Sequence, residues 1–196
     1  MAISKVTSAS ITTNAVGPTQ LNEASNYDFT GTVTGAGGIT QADLWRFTST
    51  TTTNNTRTLI SSNLERSDDP SFGYIGSGMS QSSGVFTFPE TGIYFVEAQY
   101  VYYASSSNMR YAIAIIEATT NNSTYDHIAF GRSYLTHNYG TTYLTSRASS
   151  YVDVTNTSNV KVQFRTQTEA TYDTMTLGGE TDYNSTYFTF IRLGDT

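Results

Sequence analysis

The chain of 196 residues is long enough for one domain that buries a sizeable core, and it contains no cysteine, which excludes disulfides and thiolate metal sites. Its net charge of −6, with lysine only at Lys5 and Lys161, argues against nucleic-acid binding through a basic surface. Only 13% of the residues are charged, against roughly 25% in soluble domains, and Thr, Ser and Asn fill the difference, which favours strands and turns over helices.

Residues 1–40 differ in composition from the rest of the chain. They are rich in Thr, Ser, Ala and Gly, and they end in the glycine-rich run Gly35–Gly38, which lacks the Lys-Ser/Thr of a phosphate loop and therefore indicates a hinge. The apolar residues are too sparse for a core. We predict an extended N-terminal attachment arm whose contact residues are Ile3, Val6, Ile11, Val16 and Leu21.

The N-terminus has no apolar signal core, and no stretch of the chain reaches the length of a membrane span. We therefore expect a protein that is made in the cytoplasm and does not insert into membranes.

Residues 41–196 consist of short apolar runs separated by turn-forming residues, which predicts an all-β domain without helices. The predicted strands are Leu44–Ser49, Thr58–Ser61, Phe72–Ile75, Val85–Phe88, Ile93–Tyr103, Met109–Ala118, His127–Tyr134, Tyr143–Arg147, Tyr151–Val154, Val160–Gln167 and Tyr187–Leu193.

The stretch Gly84–Tyr103 is the most informative part of this domain. Pro89 cannot donate a hydrogen bond to a strand ladder and ends one strand, and Gly92 allows the chain to turn into the next. The strand Ile93–Tyr103 is apolar on both faces, so both faces need to be covered. In a domain of this size a second subunit often supplies the second cover, which predicts an oligomer.

The motif Gly84–Phe95 resembles the central motif of the complement globular head and tumour necrosis factor superfamily. Tyr151–Val154 and Val160–Phe164 are similar to a strand pair of that family, and Ser185–Leu193 is similar to its last strand. The resemblance covers residues 44–196. It implies a ten-stranded jelly-roll β-sandwich that forms compact homotrimers, and it implies no catalysis.

Several aromatic residues on the predicted strands have two interpretations. They form either the core of the sandwich or a three-fold interface, since aromatic side chains bury large areas at a low entropic cost. The candidate interface residues are Tyr100, Tyr102, Tyr111, Tyr187, Phe188 and Phe190.

No arrangement of residues predicts catalysis, a metal or a cofactor. His127 and His137 are interpreted as surface or loop residues because no serine lies in a Gly-x-Ser-x-Gly elbow. The acidic residues Asp68 and Asp69 fit an ordinary turn better than a calcium loop. The acidic residues Asp173, Glu180 and Asp182 also invite a calcium hypothesis, since calcium takes six to eight oxygen ligands, but we predict no metal site there.

Asn14–Leu21 and Tyr27–Val33 resemble connecting segments of bacteriophage tail and virion-surface proteins. We therefore expect a structural protein on the virion surface of a tailed bacteriophage, a trimeric knob that decorates or cements the capsid or tail through its arm. The alternative is a tail-fibre tip that attaches to host surface glycans, for which the segment Tyr134–Tyr143 is a candidate. Because only residues 1–40 precede the knob, their reach favours clamping onto an adjacent surface.

Overall fold

The computed structural model describes residues 38–104, 110–134, 140–169 and 175–196. They belong to one compact unit, Gly38–Thr196. The predicted arm residues Ile3, Val6, Ile11, Val16 and Leu21 lie outside the described residues, as does His137.

The described residues form thirteen β-strands and no helix, which confirms the all-β prediction. The strands are β1 (Ala42–Phe47), β2 (Thr51–Thr53), β3 (Thr58–Leu59), β4 (Leu64–Arg66), β5 (Ser80–Ser82), β6 (Val85–Thr87), β7 (Gly92–Ala104), β8 (Tyr111–Thr119), β9 (Asp126–Tyr134), β10 (Thr142–Val154), β11 (Lys161–Thr168), β12 (Met175–Leu177) and β13 (Tyr187–Gly194). Accordingly, this part of the chain has no helix of the length and apolarity that a membrane crossing needs.

The strands pair into two antiparallel sheets. In sheet A, β12 and β13 pair with successive parts of one edge of β7, and β10 pairs with its opposite edge. The hydrogen-bonded path through the rest of the sheet is β2-β12-β7-β13-β1-β4. Sheet B has the order β5-β6-β11-β8-β9, with β3 also paired to β11. The first and last long strands, β1 and β13, are neighbours in sheet A. This crossed-over order places distant parts of the sequence side by side.

The core lies between the two sheets. Along β7, buried side chains alternate with half-buried ones, and the buried set includes Tyr94, Val96 and Ala98. Phe164 on sheet B packs against Phe188 on sheet A with their ring centroids 4.2 Å apart. Alternation of period two therefore determines which face of each strand enters the core.

The predicted strand Phe72–Ile75 is wrong. This segment is a loop that touches β1 through a single bridge between Ala42 and Ile75. The amide of Phe72 donates a hydrogen bond to the carbonyl of Asp69 at 2.8 Å, which closes a turn around Pro70. The local turn thus uses backbone groups that a strand would offer to a neighbour.

Two further features of the strands differ from the prediction. The separate strands predicted at Tyr143–Arg147 and Tyr151–Val154 are parts of the continuous β10, which pairs with β7 along its whole length. The chain segment Gly84–Tyr103 contains β6 and β7 as predicted, but they do not pair with each other. Pro89 and Gly92 instead carry the chain from sheet B to sheet A.

Candidate functional site

Four of the six candidate interface residues are core residues of the single chain. Tyr100, Tyr102, Phe188 and Phe190 are at most 1% exposed and belong to the central hydrophobic cluster. The core interpretation therefore holds for these four. Tyr187 lies half-buried on the outer face of sheet A, in register with Gln99 of β7.

Besides the candidate residue Tyr187, the outer face of sheet A carries four aromatic residues that are not among the six candidates. We define the aromatic face as Phe95, Tyr103, Tyr143, Tyr151 and Tyr187. Tyr143 and Tyr151, both on β10, are 67% and 69% exposed. Each lies opposite an aromatic residue of β7: the ring centroids of Tyr103 and Tyr143 are 5.6 Å apart, and those of Phe95 and Tyr151 are 6.0 Å apart.

Polar residues separate the two aromatic pairs of this face. Glu97 and Gln99 of β7 lie between them, and Arg147 of β10 is opposite Gln99. The Tyr187 hydroxyl donates a hydrogen bond to Oε1 of Gln99 at 3.2 Å. A mixture of exposed aromatic and polar side chains without lysine is typical of the composition of protein–protein interfaces.

The acidic residues Asp68 and Asp69 are partners of an arginine. The Arg46 side chain is 2% exposed and forms ion pairs with Glu65 at 2.7 Å, with Asp69 at 3.0 Å and with Asp68. Burial by itself lowers the pKa of Arg46, but its hydrogen bonds to Glu65 and Asp69 outweigh burial and raise it. The described residues contain no group of His, Asp and Glu side chains placed to hold a metal ion.

A second surface lies on the outer face of sheet B. We call it the arginine pocket, and it is a cavity of about 200 Å³ lined by Arg57, Ile113, Ile115, His127, Phe130, Arg132 and Gln167. Ile113 and Ile115 of β8 form its apolar floor; they are at most 5% exposed, yet they do not belong to the central core cluster. On β9, Phe130 lies opposite Ile115 and Arg132 lies opposite Ile113.

A buried carboxylate beside the pocket holds several of its polar side chains. Glu117, 4% exposed, accepts hydrogen bonds from Arg165 Nε and Gln163 Nε2, both at 2.6 Å. Its other oxygen lies 3.2 Å from His127 Nε2 and 3.6 Å from Arg57 Nη1. His127 is thus a strand residue whose described partner is a carboxylate rather than a serine, and the contact positions it at the edge of the pocket.

Arg132 differs from the other arginines of this surface because no carboxylate among the described residues pairs with it. Its guanidinium carbon lies 4.5 Å from the ring centroid of Tyr111 and 5.9 Å from that of Phe130. The candidate interface residue Tyr111 is therefore on sheet B, where its ring also packs edge-on against Tyr134 at 6.0 Å. These cation–π contacts, together with a hydrogen bond from Nη1 to the hydroxyl group of Tyr134 at 3.4 Å, hold the guanidinium in place.

The sequence analysis did not detect this pocket, because no two of its arginines are close in sequence. Arg57 comes from the segment between β2 and β3, whereas Arg132 is on β9 and Arg165 on β11. The only local signal was the alternation of β9, which places Phe130 and Arg132 on one face. Residues 135–139 of the glycan-binding segment predicted at Tyr134–Tyr143 lie outside the described residues.

Comparisons with known proteins show the fold. No family model matches the chain, and no curated protein matches it. Among solved structures, murine APRIL at pH 5.0 is similar, with a TM-score of 0.54 and 10% identity over 78% of this chain and 98% of that chain. Eiger TNF from S. frugiperda is also similar, with a TM-score of 0.57 and 8% identity over 81% of this chain and 96% of that chain.

These likenesses cover about four fifths of this chain at 8% to 10% identity. They confirm the prediction of a jelly-roll β-sandwich of the tumour necrosis factor type.

Proposed function

We propose that this protein is a homotrimeric, non-enzymatic knob on the virion surface of a tailed bacteriophage, where its N-terminal arm fixes it to the capsid or tail as a decoration or cement protein. The exposure of the aromatic face is the observation that supports the proposed trimer. The fold supports the non-enzymatic part of the proposal. The virion location rests on the resemblance of the segments Asn14–Leu21 and Tyr27–Val33 to phage proteins.

The aromatic face has the properties of an unoccupied subunit interface. Tyr143 and Tyr151 each expose about two thirds of their surface, although both are large side chains that gain free energy when water is removed from them. They lie on β10, which within sheet A pairs only with β7. A neighbouring subunit packed on this face would cover both tyrosines and the half-buried Phe95 and Tyr103.

The trimer is tested by measuring the molar mass in solution. Light scattering coupled to size-exclusion chromatography should give three times the 21.4 kDa of one chain. Tyr151→Asp places a charge on the aromatic face at a position that is 69% exposed in the monomer, so the variant should fold and dissociate.

Tyr134→Asp is the matched control, because Tyr134 is 64% exposed but lies on sheet B. This variant should stay trimeric. A stable monomer for the unaltered protein at micromolar concentration would refute the proposed trimer, and dissociation by both variants would show that the aromatic face is not the interface.

The role of the arm is tested on virus particles that lack this protein. Full-length protein should occupy the particles, whereas protein without residues 1–37 should not. Three arms in one trimer bind together, so weak single contacts add up to a high avidity. Equal occupancy by both proteins would assign the attachment to the knob.

A further inference from the structure

The arginine pocket has an excess of positive charge in a chain that is negative overall. Arg57 and Arg132 line it, and the buried carboxylate beside it, that of Glu117, pairs with Arg57 and Arg165, while the whole chain has a net charge of −6. Arg132 forms no salt bridge among the described residues, although the charge of Glu169 acts on it, and Arg57 reaches Glu117 only at 3.6 Å while its side chain is 46% exposed. The surface therefore attracts an anion, and the Arg132 guanidinium has further N–H groups besides the one that donates to Tyr134.

The other residues that line the pocket favour a ligand that also has an apolar surface and a hydroxyl group. Ile113 and Ile115 provide an apolar floor, and Phe130 presents an aromatic ring that is 62% exposed. Gln167 donates through Nε2 to the carbonyl and side-chain oxygens of Asn55, at 2.9 Å and 3.2 Å. Because its amide group is held in this way, its own oxygen is available to accept a hydrogen bond from a hydroxyl group.

The size and charge of the pocket limit which class of ligand it can bind. Its volume of about 200 Å³ is below the roughly 300–1,000 Å³ of sites for drug-sized ligands, so it accommodates a single ring. One unpaired guanidinium matches a singly charged carboxylate, with which arginine forms two parallel hydrogen bonds. A pocket of this size also suits one sugar ring better than an acidic peptide segment.

We propose that the arginine pocket binds a carboxylate-bearing sugar, with Arg132 on the carboxylate, Phe130 against a face of the ring and Gln167 on a hydroxyl group. The inference goes beyond the trimeric knob and does not depend on it, because the pocket is on sheet B and the aromatic face is on sheet A. It also gives the glycan-binding alternative a specific location in the fold.

The test is a titration of the full-length protein, followed by NMR chemical shifts at low salt, with three probes. Glucuronic acid has both the ring and the carboxylate, glucose has the same ring without the charge, and acetate has the charge without the ring. We expect glucuronic acid to bind with a Kd of about 1 mM and the other two at least tenfold more weakly, at a difference of about 1.4 kcal/mol or more.

Two substitutions of arginine by glutamine locate the site. Arg132→Gln should weaken the binding of glucuronic acid at least tenfold, because it removes the unpaired guanidinium. Arg147→Gln makes the same change of charge on the outer face of sheet A and should leave the affinity unchanged. Chemical shifts far from the pocket report whether each variant is folded.

Any one of four results would overturn the proposal. Glucose binding as tightly as glucuronic acid would show that the charge is not recognised, and acetate binding as tightly would show an anion site without a sugar. Unchanged affinity in Arg132→Gln, or no binding of glucuronic acid up to about 50 mM, would show that the pocket is not the site.

Discussion

The hydroxyl group of Tyr102 on sheet A lies 2.9 Å from the carbonyl oxygen of Ile113 on sheet B and donates a hydrogen bond to it. The same hydroxyl is 2.7 Å from Oγ1 of Thr166. Tyr100, two residues earlier on the same face of β7, has a buried hydroxyl group without a hydrogen-bond partner among the described residues. The two tyrosines are equally buried, but Tyr102 links the two sheets whereas Tyr100 leaves its hydroxyl group unsatisfied.

This contrast predicts opposite effects of the same substitution. Tyr102→Phe should lower the free energy of unfolding by about 1–2 kcal/mol, because it removes hydrogen bonds between the sheets. Tyr100→Phe should raise it by roughly 1 kcal/mol, since an unsatisfied buried hydroxyl is costly. Urea unfolding of both variants measures the difference. Equal losses of stability would contradict the assignment of the two hydroxyl groups.

Alkaline pH should destabilise the fold. Burial raises the pKa of Tyr94 to about 12, with the charge of Glu90 as a second cause, and burial also raises the pKa values of Tyr100 and Tyr102 above that of an exposed tyrosine. Below pH 10 these phenols are protonated in both states. Above it the unfolded chain releases protons that the native chain retains, so unfolding becomes more favourable up to the native pKa.

The free energy of unfolding should therefore fall by about 1.4 kcal/mol per pH unit for each buried tyrosine above pH 10. Urea titrations between pH 8 and pH 11 measure this slope. The double variant Tyr100→Phe/Tyr102→Phe lacks two of the groups and should show a shallower decline. The same slope in both proteins would mean that these two tyrosines do not titrate differently in the two states.

Gly131→Ala should loosen the edge where the two sheets meet. Gly131 on β9 faces the backbone of β10, and a Cβ at this position would overlap the carbonyl group of Arg147. Because the obstacle is backbone, we expect a loss of about 3 kcal/mol in the free energy of unfolding. Gly73→Ala is the control, since a Cβ there meets no atom within 4 Å, and its stability should not change. A Gly131→Ala variant as stable as that control would refute the close approach.

A protein that begins at Gly38 should fold by itself. It retains Gln41, whose Oε1 accepts hydrogen bonds from the amides of Ser77 at 2.9 Å and Gly78 at 3.2 Å and whose carbonyl accepts one from Arg192 at 2.9 Å. A protein that begins at Asp43 loses these bonds and should be less stable by about 2 kcal/mol. Thermal melts of the two proteins and the full chain provide the comparison. A non-cooperative melt of the protein that begins at Gly38 would show that residues 1–37 are part of the fold.

Much of the fold follows from local patterns. The β-class, the strands β7, β8, β9 and β11, and the change of direction at Pro89 and Gly92 were predicted, because period-two alternation and turn residues act over a few positions. The short strands β2, β4, β5 and β12 were missed. Each has three residues, and it is the partner in the sheet rather than the segment's own pattern that makes it a strand.

The sequence by itself determined that Tyr100 and Tyr102 share one face of their strand and that Phe95 and Tyr103 share the other, since successive side chains of a strand point to opposite sides. Only the tertiary structure decided which face is the core, because both faces are rich in apolar residues and the choice depends on the sheet that packs against them. The tertiary structure likewise assembled the arginine pocket, whose side chains come from residues as far apart in the sequence as Arg57 and Gln167. No local pattern records that proximity, because strand pairing and sheet packing create it.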